Sequence, residues 1–187
     1  MVGIPHGGVV VAAALAEALS LPLEVMPCRK IRNPANSEEN IGSVSEDEVF
    51  LHDCARSIPQ DFLHHKIRQL QRCILQETTS YYDSRQPLSF RYRPVILVDD
   101  LLTSADTMMA CLRSIRKQRP LEIVIAVALA EVVAARDVSA EADDFKCIKI
   151  EQHLAPPDSY FKEFLPVTEA AVRHLMQASV CTLRHFG

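Results

Sequence analysis

Two adjacent carboxylates, Asp99 and Asp100, are the residues of this chain best placed to do chemistry. They follow the continuous apolar run 95–98, which is typical of a buried strand, and a hydroxyl-rich turn and a helix come after them. Carboxylates can accept hydrogen bonds from neighbouring sugar hydroxyls, and backbone N–H groups at a helix N-terminus can hold a phosphate. The segment 95–108 therefore indicates a site for a phosphorylated sugar.

Two carboxylates at the end of a buried strand repel each other and lose hydration, so something must offset their charge. Hydroxyl donors, backbone N–H groups or a divalent cation with its water could do so. The alternative is a solvent-facing turn without a ligand.

Length and composition predict one globular domain over residues 1–187. The net charge of -4 gives no overall basic field, which argues against nucleic-acid binding. No apolar stretch approaches the roughly 18 residues of a membrane span. The apolar run 9–19 lacks a preceding basic segment, so neither a membrane segment nor a signal peptide is expected.

Six cysteines, at positions 28, 54, 73, 111, 147 and 181, form no Cys-x-x-Cys pair. We interpret them as buried, reduced thiols rather than zinc ligands. A cytoplasmic location is the corresponding expectation.

Apolar periodicity and turn residues predict alternating strands and helices. Strands are expected at 1–4, 21–28, 95–98, 121–129 and 145–150, with a short one at 48–52. Helices are expected at 9–19, 59–82, 107–117, 132–142 and 168–183, the last with Thr168 as its N-cap. The remaining segments are predicted as a loop, a linker and an irregular segment at 33–47, 84–93 and 153–166.

This alternation is typical of a parallel sheet covered by helices on both faces. Ligands bind such sheets beyond the carboxyl ends of the strands. Three segments are predicted to lie at those ends, and we expect them to converge: 5–8, Arg29-Lys30 and 99–107.

The segment 95–108 resembles the signature of type I phosphoribosyltransferases, roughly Val-Asp-Asp-x-x-x-Thr-Gly-x-Thr, and its Asp-Asp-Leu-Leu is similar to that of adenine phosphoribosyltransferases. The wider chain resembles a group of predicted phosphoribosyltransferases. Those carry a Pro-Arg-Gly-Gly turn, an Arg-Lys-Ile strand end and a loop rich in Asn, Pro and Glu. The matching segments here are 5–8, 29–31 and 33–47, and the likeness extends to 140–143 and the region of Tyr160 and Phe164.

The resemblance implies an α/β fold, a single domain with a parallel sheet of about five strands, helices on both faces and a small hood. It makes 30–52 a flexible loop and hairpin, and 151–167 the hood segment. The implied activity transfers ribosyl-5-phosphate from phosphoribosyl diphosphate (PRPP) to a nitrogenous, nucleobase-like acceptor, with Mg²⁺. The resemblance is also compatible with a homodimer.

The resemblance also implies roles for individual residues. Asp99 and Asp100 would be the catalytic pair, facing the ribose hydroxyls and holding Mg²⁺ indirectly, through water or substrate. The 5-phosphate would be wrapped by Thr103, Ser104, Ala105, Asp106 and Thr107. The diphosphate would be bound by His6, Gly7, Gly8, Arg29 and Lys30. No general base is evident, so positioning and charge neutralisation would carry catalysis.

The chain departs from the family's phosphate loop at Ala105 and Asp106. Ala105 adds a methyl group and disfavours a positive φ. A carboxylate ~6 Å from a phosphate charge costs about 2–3 kcal/mol at an effective dielectric constant near 20. Asp106 could also take the phosphate's place on the free N–H groups of the helix, or simply cap the helix. His6 stands where relatives often have Arg.

These departures leave an alternative open: an impaired family member acting as a ligand-binding or regulatory module. A third hypothesis, an RNA-binding regulator of the same fold, is disfavoured by the net charge.

Overall fold

The computed structural model describes residues 1–82 and 85–183, with the side chains of 180–183 left aside. The strands are β1 Val2–Gly3, β2 Glu24–Val25, β3 Arg29–Asn33, β4 Asn36–Val44, β5 Val49–Leu51, β6 Pro94–Leu102, β7 Glu122–Glu131 and β8 Asp144–Glu151. The helices are α1 Gly7–Leu19, α2 Gln60–Tyr82, α3 Asp106–Lys117, α4 Val132–Ser139 and α5 Glu169–Leu183, with short 3₁₀ turns at Asp53–Ser57 and Pro157–Ser159.

The main sheet has five parallel strands in the order β2-β1-β6-β7-β8. Its central strands are apolar because both of their faces are covered; Leu97, Val98 and Ile125 are fully buried. The predicted fold is therefore confirmed. The predicted strand 21–28 is shorter than expected, since only Glu24 and Val25 pair with β1.

Helices cover both faces of this sheet. Val9 and Ala12 of α1, together with Val172 of α5, form one core cluster with Val98 of β6. On the opposite face, α3 and α4 pack on the alternate residues of β6 and β7 whose side chains lie on that face of the sheet, such as Leu97 and Ile125. This arrangement brings the N-termini of α1 and α3 to the carboxyl end of β6.

The prediction of a loop at 33–47 is wrong, because most of this segment belongs to an antiparallel sheet, β3-β4-β5. We call residues 29–51 the hairpin sheet. Residues 36–39 of β4 are exposed, so they show no apolar alternation, and only Ile41 and Val44 bury hydrophobic side chains. Hydrogen bonds to β3 and β5 satisfy the backbone N–H and C=O groups of β4. Such pairing does not depend on a hydrophobic pattern, so the sequence does not reveal this strand.

Arg29 and Lys30 therefore begin β3 of the hairpin sheet, whereas the sequence placed them at the end of a strand of the main sheet. The reason is that β2 ends at Val25 and the chain crosses to a second sheet.

The segment 153–166, predicted to be irregular, has no regular structure apart from the 3₁₀ turn Pro157–Ser159. The Tyr160 hydroxyl donates to the Glu151 carboxylate and accepts from the Ala155 N–H at 3.0 Å. The Thr168 hydroxyl accepts from the Ala171 N–H at 3.2 Å, which confirms it as the N-cap of α5.

Two cysteines correct the expectation of buried thiols, because Cys54 and Cys73 are exposed. Cys73 lies on the solvent-facing side of the amphipathic helix α2, so its position on the helix, and not its residue type, decides its exposure. Cys111 is buried, and Cys28 and Cys147 are half-buried. The side chain of Cys181 and the first residue of the predicted linker, Ser84, lie outside the described residues.

In the part of the chain that the structure describes, no helix has the length and apolar character required to cross a bilayer.

Candidate active site

The carboxylate pair lies at the end of β6, which continues through Asp99 and Asp100 to Leu102. Both side chains are half-buried. The Asp100 N–H donates a hydrogen bond of 3.0 Å to Asp99 Oδ1, which holds the first carboxylate against the strand. The pair is thus placed by a central strand of the main sheet.

The glycine turn packs directly on this pair. A Cβ atom at Gly7 would overlap Asp100 Oδ2 and lie 2.5 Å from Asp100 Cγ. A Cβ atom at Gly8 would lie 2.7 Å from Asp99 Oδ1 and 3.0 Å from the Val98 carbonyl oxygen. Only glycine permits this approach, and it brings the N-terminus of α1 against the two carboxylates. The positive end of that helix favours their charge.

Two of the three predicted site segments therefore meet, since the glycines of 5–8 contact the first two residues of 99–107. His6, which precedes α1, is exposed and makes no capping hydrogen bond with its side chain. The peptide bond between Pro5 and His6 is cis.

Burial raises the pKa of the Asp99 carboxyl well above its ordinary range, and the charge of Asp100 raises it further. Cys111 and Cys28 lie nearby: a hydrogen bond with Cys28, together with burial, raises the pKa of the Cys111 thiol, so this thiol stays protonated near neutral pH. These groups thus disfavour a second negative charge beside Asp100.

Replacing Asp99 by asparagine should stabilise the fold by about 1 kcal/mol near neutral pH, because this carboxyl is harder to ionise in the folded protein than in the unfolded chain and the amide removes that difference. A carboxyl whose pKa rises on folding contributes its stability below the ordinary value of 3.8 and loses it as the pH rises through the folded-state value. The advantage of Asp99→Asn should therefore grow from acid to neutral pH. Urea unfolding at several pH values measures it, with exposed Asp137→Asn as control; a pH-independent advantage would contradict the assignment.

The predicted phosphate loop runs from Thr103 to the first turn of α3. Thr103 is exposed, Ser104 and Ala105 are half-buried, and Thr107 lies in the first helical turn. Ala105 has φ -71° and ψ -16°, so the loop does not require a positive φ at this position. The expected backbone penalty of replacing glycine with Ala105 is therefore absent.

Asp106 does not cap α3 with its side chain, which corrects the capping interpretation. Its carboxylate is turned to the hairpin sheet: Asn40 Nδ2 donates to Oδ2, and His52 Nε2 lies 2.6 Å from Oδ1. The Ser43 hydroxyl donates to the Asp106 carbonyl oxygen at 2.5 Å. The residue is only 4% exposed. Asn40 and His52 thus bind the Asp106 carboxylate, which from the sequence alone was expected to compete with phosphate.

Arg29 makes its ion pair with Glu77 of α2, whose carboxylate also accepts from the Tyr81 hydroxyl at 2.6 Å. Lys30 is exposed on β3, paired in register with Ser43, whose hydroxyl binds Asp106. Both cations are therefore held by the hairpin sheet, and Lys30 lies on the strand next to Ser43, which contacts the predicted phosphate loop.

Sequence reasoning missed Asn40, Ser43 and His52 as residues of the site. They contact Asp106 across 54 to 66 positions of sequence, and no local spacing signals such contacts. The only available hint was the acid at position 106, which required a donor from elsewhere in the chain.

The comparisons with known proteins agree with this fold. A crystal structure of TT1426 from Thermus thermophilus superposes with a TM-score of 0.80 at 28% identity, over 95% of this chain and 86% of that one. Two curated proteins from Mycobacterium tuberculosis strains CDC 1551 and H37Rv, provisionally named phosphoribosyl transferases, are each 26% identical over 79% of this chain. The aligned region is about a third of their length, 34%.

A family model described as the phosphoribosyl transferase domain matches residues 1–160, from β1 through the 3₁₀ turn of the hood segment. This match covers the carboxylate pair, the glycine turn and the hairpin sheet. The chain belongs to the phosphoribosyl transferase domain family.

Proposed function

We propose that this protein binds PRPP with Mg²⁺ and transfers ribosyl-5-phosphate to a nitrogenous acceptor. The observation that carries the proposal is the contact between the glycine turn and the carboxylate pair, where a side chain at Gly7 would overlap Asp100. Glycine has no side chain, so hydrophobic packing does not account for the close approach of this turn to the two carboxylates. A ligand that both the turn and the carboxylates bind would account for it.

The ribose would lie over Asp99 and Asp100, whose oxygens accept hydrogen bonds from vicinal hydroxyls. A hydroxyl donor at Asp99 would offset the loss of hydration and the charge of Asp100, which together raise the pKa of its carboxyl. The 5-phosphate would bind the N–H groups of the loop Thr103–Thr107 at the positive end of α3. Asp106 offers no obstacle there, since its carboxylate is bound by the hairpin sheet.

The diphosphate would lie at the glycine turn, with charge neutralised by Lys30 and by Arg29, which Glu77 shares. His6, exposed beside Gly7, would add a ring N–H. No group of three or more His, Cys, Asp and Glu side chains in the described residues could hold a metal by itself. Two carboxylates fit the mode of Mg²⁺, which binds one or two carboxylates, water and substrate oxygens.

Catalysis would rest on positioning. The diphosphate leaves with its own charge neutralised, so the protein must hold the anomeric carbon, the leaving group and the acceptor in line. Mg²⁺ would supply electrostatic stabilisation of the departing diphosphate. Glu131 and Glu151 fasten the hood segment to the ends of β7 and β8. In the proposed reaction this segment would border the acceptor.

Calorimetric titration tests this proposal. Wild-type protein should bind PRPP with a dissociation constant on the order of micromolar, only when Mg²⁺ is present, and Asp100→Asn should weaken binding about tenfold or more. The exposed Asp137 on α4 gives the matched control, Asp137→Asn, which should bind as wild type. Transfer is measured as diphosphate release with a panel of purine and pyrimidine bases. Absence of PRPP binding by the wild type would overturn the proposal.

A further inference from the structure

Asp106 joins the predicted phosphate loop to the hairpin sheet through three separate groups. Both carboxylate oxygens are bound, one by Asn40 of β4 and one by His52, which follows β5. The carbonyl oxygen accepts from the Ser43 hydroxyl at 2.5 Å. A single residue of the loop is therefore held by two residues of the hairpin sheet and by His52, which directly follows that sheet.

The hairpin sheet is also fastened to α3 at its far end. The Ser114 hydroxyl donates to the Asp47 carboxylate, and Lys117 Nζ pairs with Glu48 and donates to the Asp47 carbonyl at 3.2 Å. Between the two ends, the Arg113 guanidinium lies 4.9 Å from the centroid of the Phe50 ring. These contacts hold the sheet along the helix without Asp106, so the Asp106 cluster is not needed merely to dock it.

The backbone N–H of Asp106 lies at the N-terminus of α3, in contrast to the side chain, which contacts the hairpin sheet and His52. Asp106 is the first residue of α3, so its N–H belongs to the first turn, whose N–H groups have no partner within the helix. Those groups are an attractive position for any nearby anion, including the residue's own carboxylate. An aspartate here can thus compete with a bound phosphate unless its side chain is held elsewhere.

We propose that Asn40 and His52 are positioning residues that withhold the Asp106 carboxylate from the phosphate loop, so that the loop's N–H groups stay available to an anion. The inference rests on the proposed binding of a 5-phosphate at Thr103–Thr107. Their two donors turn the carboxylate towards the hairpin sheet and offset its charge. Phosphate affinity is therefore coupled to contacts made by residues that never touch the phosphate, and by reciprocity phosphate stabilises the docked hairpin sheet.

The test is a titration with inorganic phosphate, followed by NMR or calorimetry, in four proteins. The double variant Asn40→Ala/His52→Ala should bind phosphate about tenfold more weakly than wild type, because Asp106 is released onto the loop. Adding Asp106→Asn to the double variant should restore most of the affinity, since the competing anion is gone. His52→Gln keeps an N–H donor and should bind as wild type.

Matched controls are Asn36→Ala at the exposed end of β4 and His65→Ala on the exposed face of α2, which should leave affinity unchanged. Hydrogen exchange over 36–44 gives an independent readout: phosphate should slow exchange in the wild type and not in the double variant. A purely structural role would give a loss of affinity that Asp106→Asn does not restore, and that result, like unchanged affinity in the double variant, overturns the inference.

The two proposals fail in different ways. If phosphate binding responds to the variants as expected but the wild type neither binds PRPP nor releases diphosphate, the transferase proposal fails and the role of Asn40 and His52 stands. A wild type that binds PRPP but no inorganic phosphate at millimolar concentrations overturns the role of Asn40 and His52 and leaves the transferase proposal standing.

Discussion

Gly7→Ala should reduce PRPP affinity by about a hundredfold, which corresponds to about 2.7 kcal/mol. The new Cβ would overlap Asp100 Oδ2 and lie 2.5 Å from Asp100 Cγ, so either the glycine turn or the carboxylate must move. In the proposed complex both contact the same ligand, and a displacement of this size removes them from hydrogen-bonding range. Calorimetry with PRPP and Mg²⁺ measures the loss.

The matched control is Val10→Ala on the same helix, three residues on and 45% exposed, which should bind PRPP as wild type. Gly7→Ala should remain folded, because alanine has a higher helix propensity than glycine and only one flexible carboxylate needs to move. Circular dichroism checks this. If folded Gly7→Ala binds PRPP with undiminished affinity, the contact between turn and carboxylate has no part in binding.

Arg29→Met should lower the free energy of unfolding by about 2 kcal/mol, because it leaves the Glu77 carboxylate without its cation. The side chain of Glu77 is 3% exposed, whereas that of Arg29 is 34% exposed, so solvent screens part of the pair and the expected loss lies below that of a fully buried ion pair. The Tyr81 hydroxyl still donates to Glu77, and burial together with that contact raises the pKa of Tyr81. Urea unfolding measures the change.

The double variant Arg29→Met/Glu77→Gln should regain most of this stability, since it removes both charges and keeps an acceptor for Tyr81. Arg32→Met is the control on the same strand, where an exposed guanidinium donates to the Glu38 carbonyl at 3.0 Å. PRPP titration of the double variant then isolates the proposed diphosphate role of Arg29. A loss of stability that persists in the double variant would show that the ion pair is not its cause.

The sequence was sufficient for the main sheet because its strands obey local rules. The continuous apolar runs in β6 and β7 reflect burial on both faces, and the helical periodicity of α2 reflects burial on one face of that helix. The acids at the end of β6 were identifiable as site candidates for the same reason, since a buried strand rarely ends in two carboxylates without a partner.

The hairpin sheet could not be predicted in this way. Strand β4 is polar over its first half and owes its conformation to backbone pairing with β3 and β5, which a hydrophobic pattern does not report. Placing Arg29 and Lys30 at the main sheet was wrong for the same reason, since nothing in the local sequence marks the crossing from one sheet to another.

By itself the sequence was enough to identify the family, through the resemblance of segments 95–108, 5–8 and 29–31 to its motifs. It was also enough to predict the parallel sheet and the positions of the carboxylate pair and the glycine turn, because burial periodicity and turn chemistry act over a few residues. Only the tertiary structure decided what Asp106 and Arg29 contact. Their partners, His52 and Glu77, lie 54 and 48 positions away. Hydrogen bonds and ion pairs across such distances depend on how separate elements pack, and that packing turned an acid expected to oppose phosphate binding into a link between the phosphate loop and the hairpin sheet.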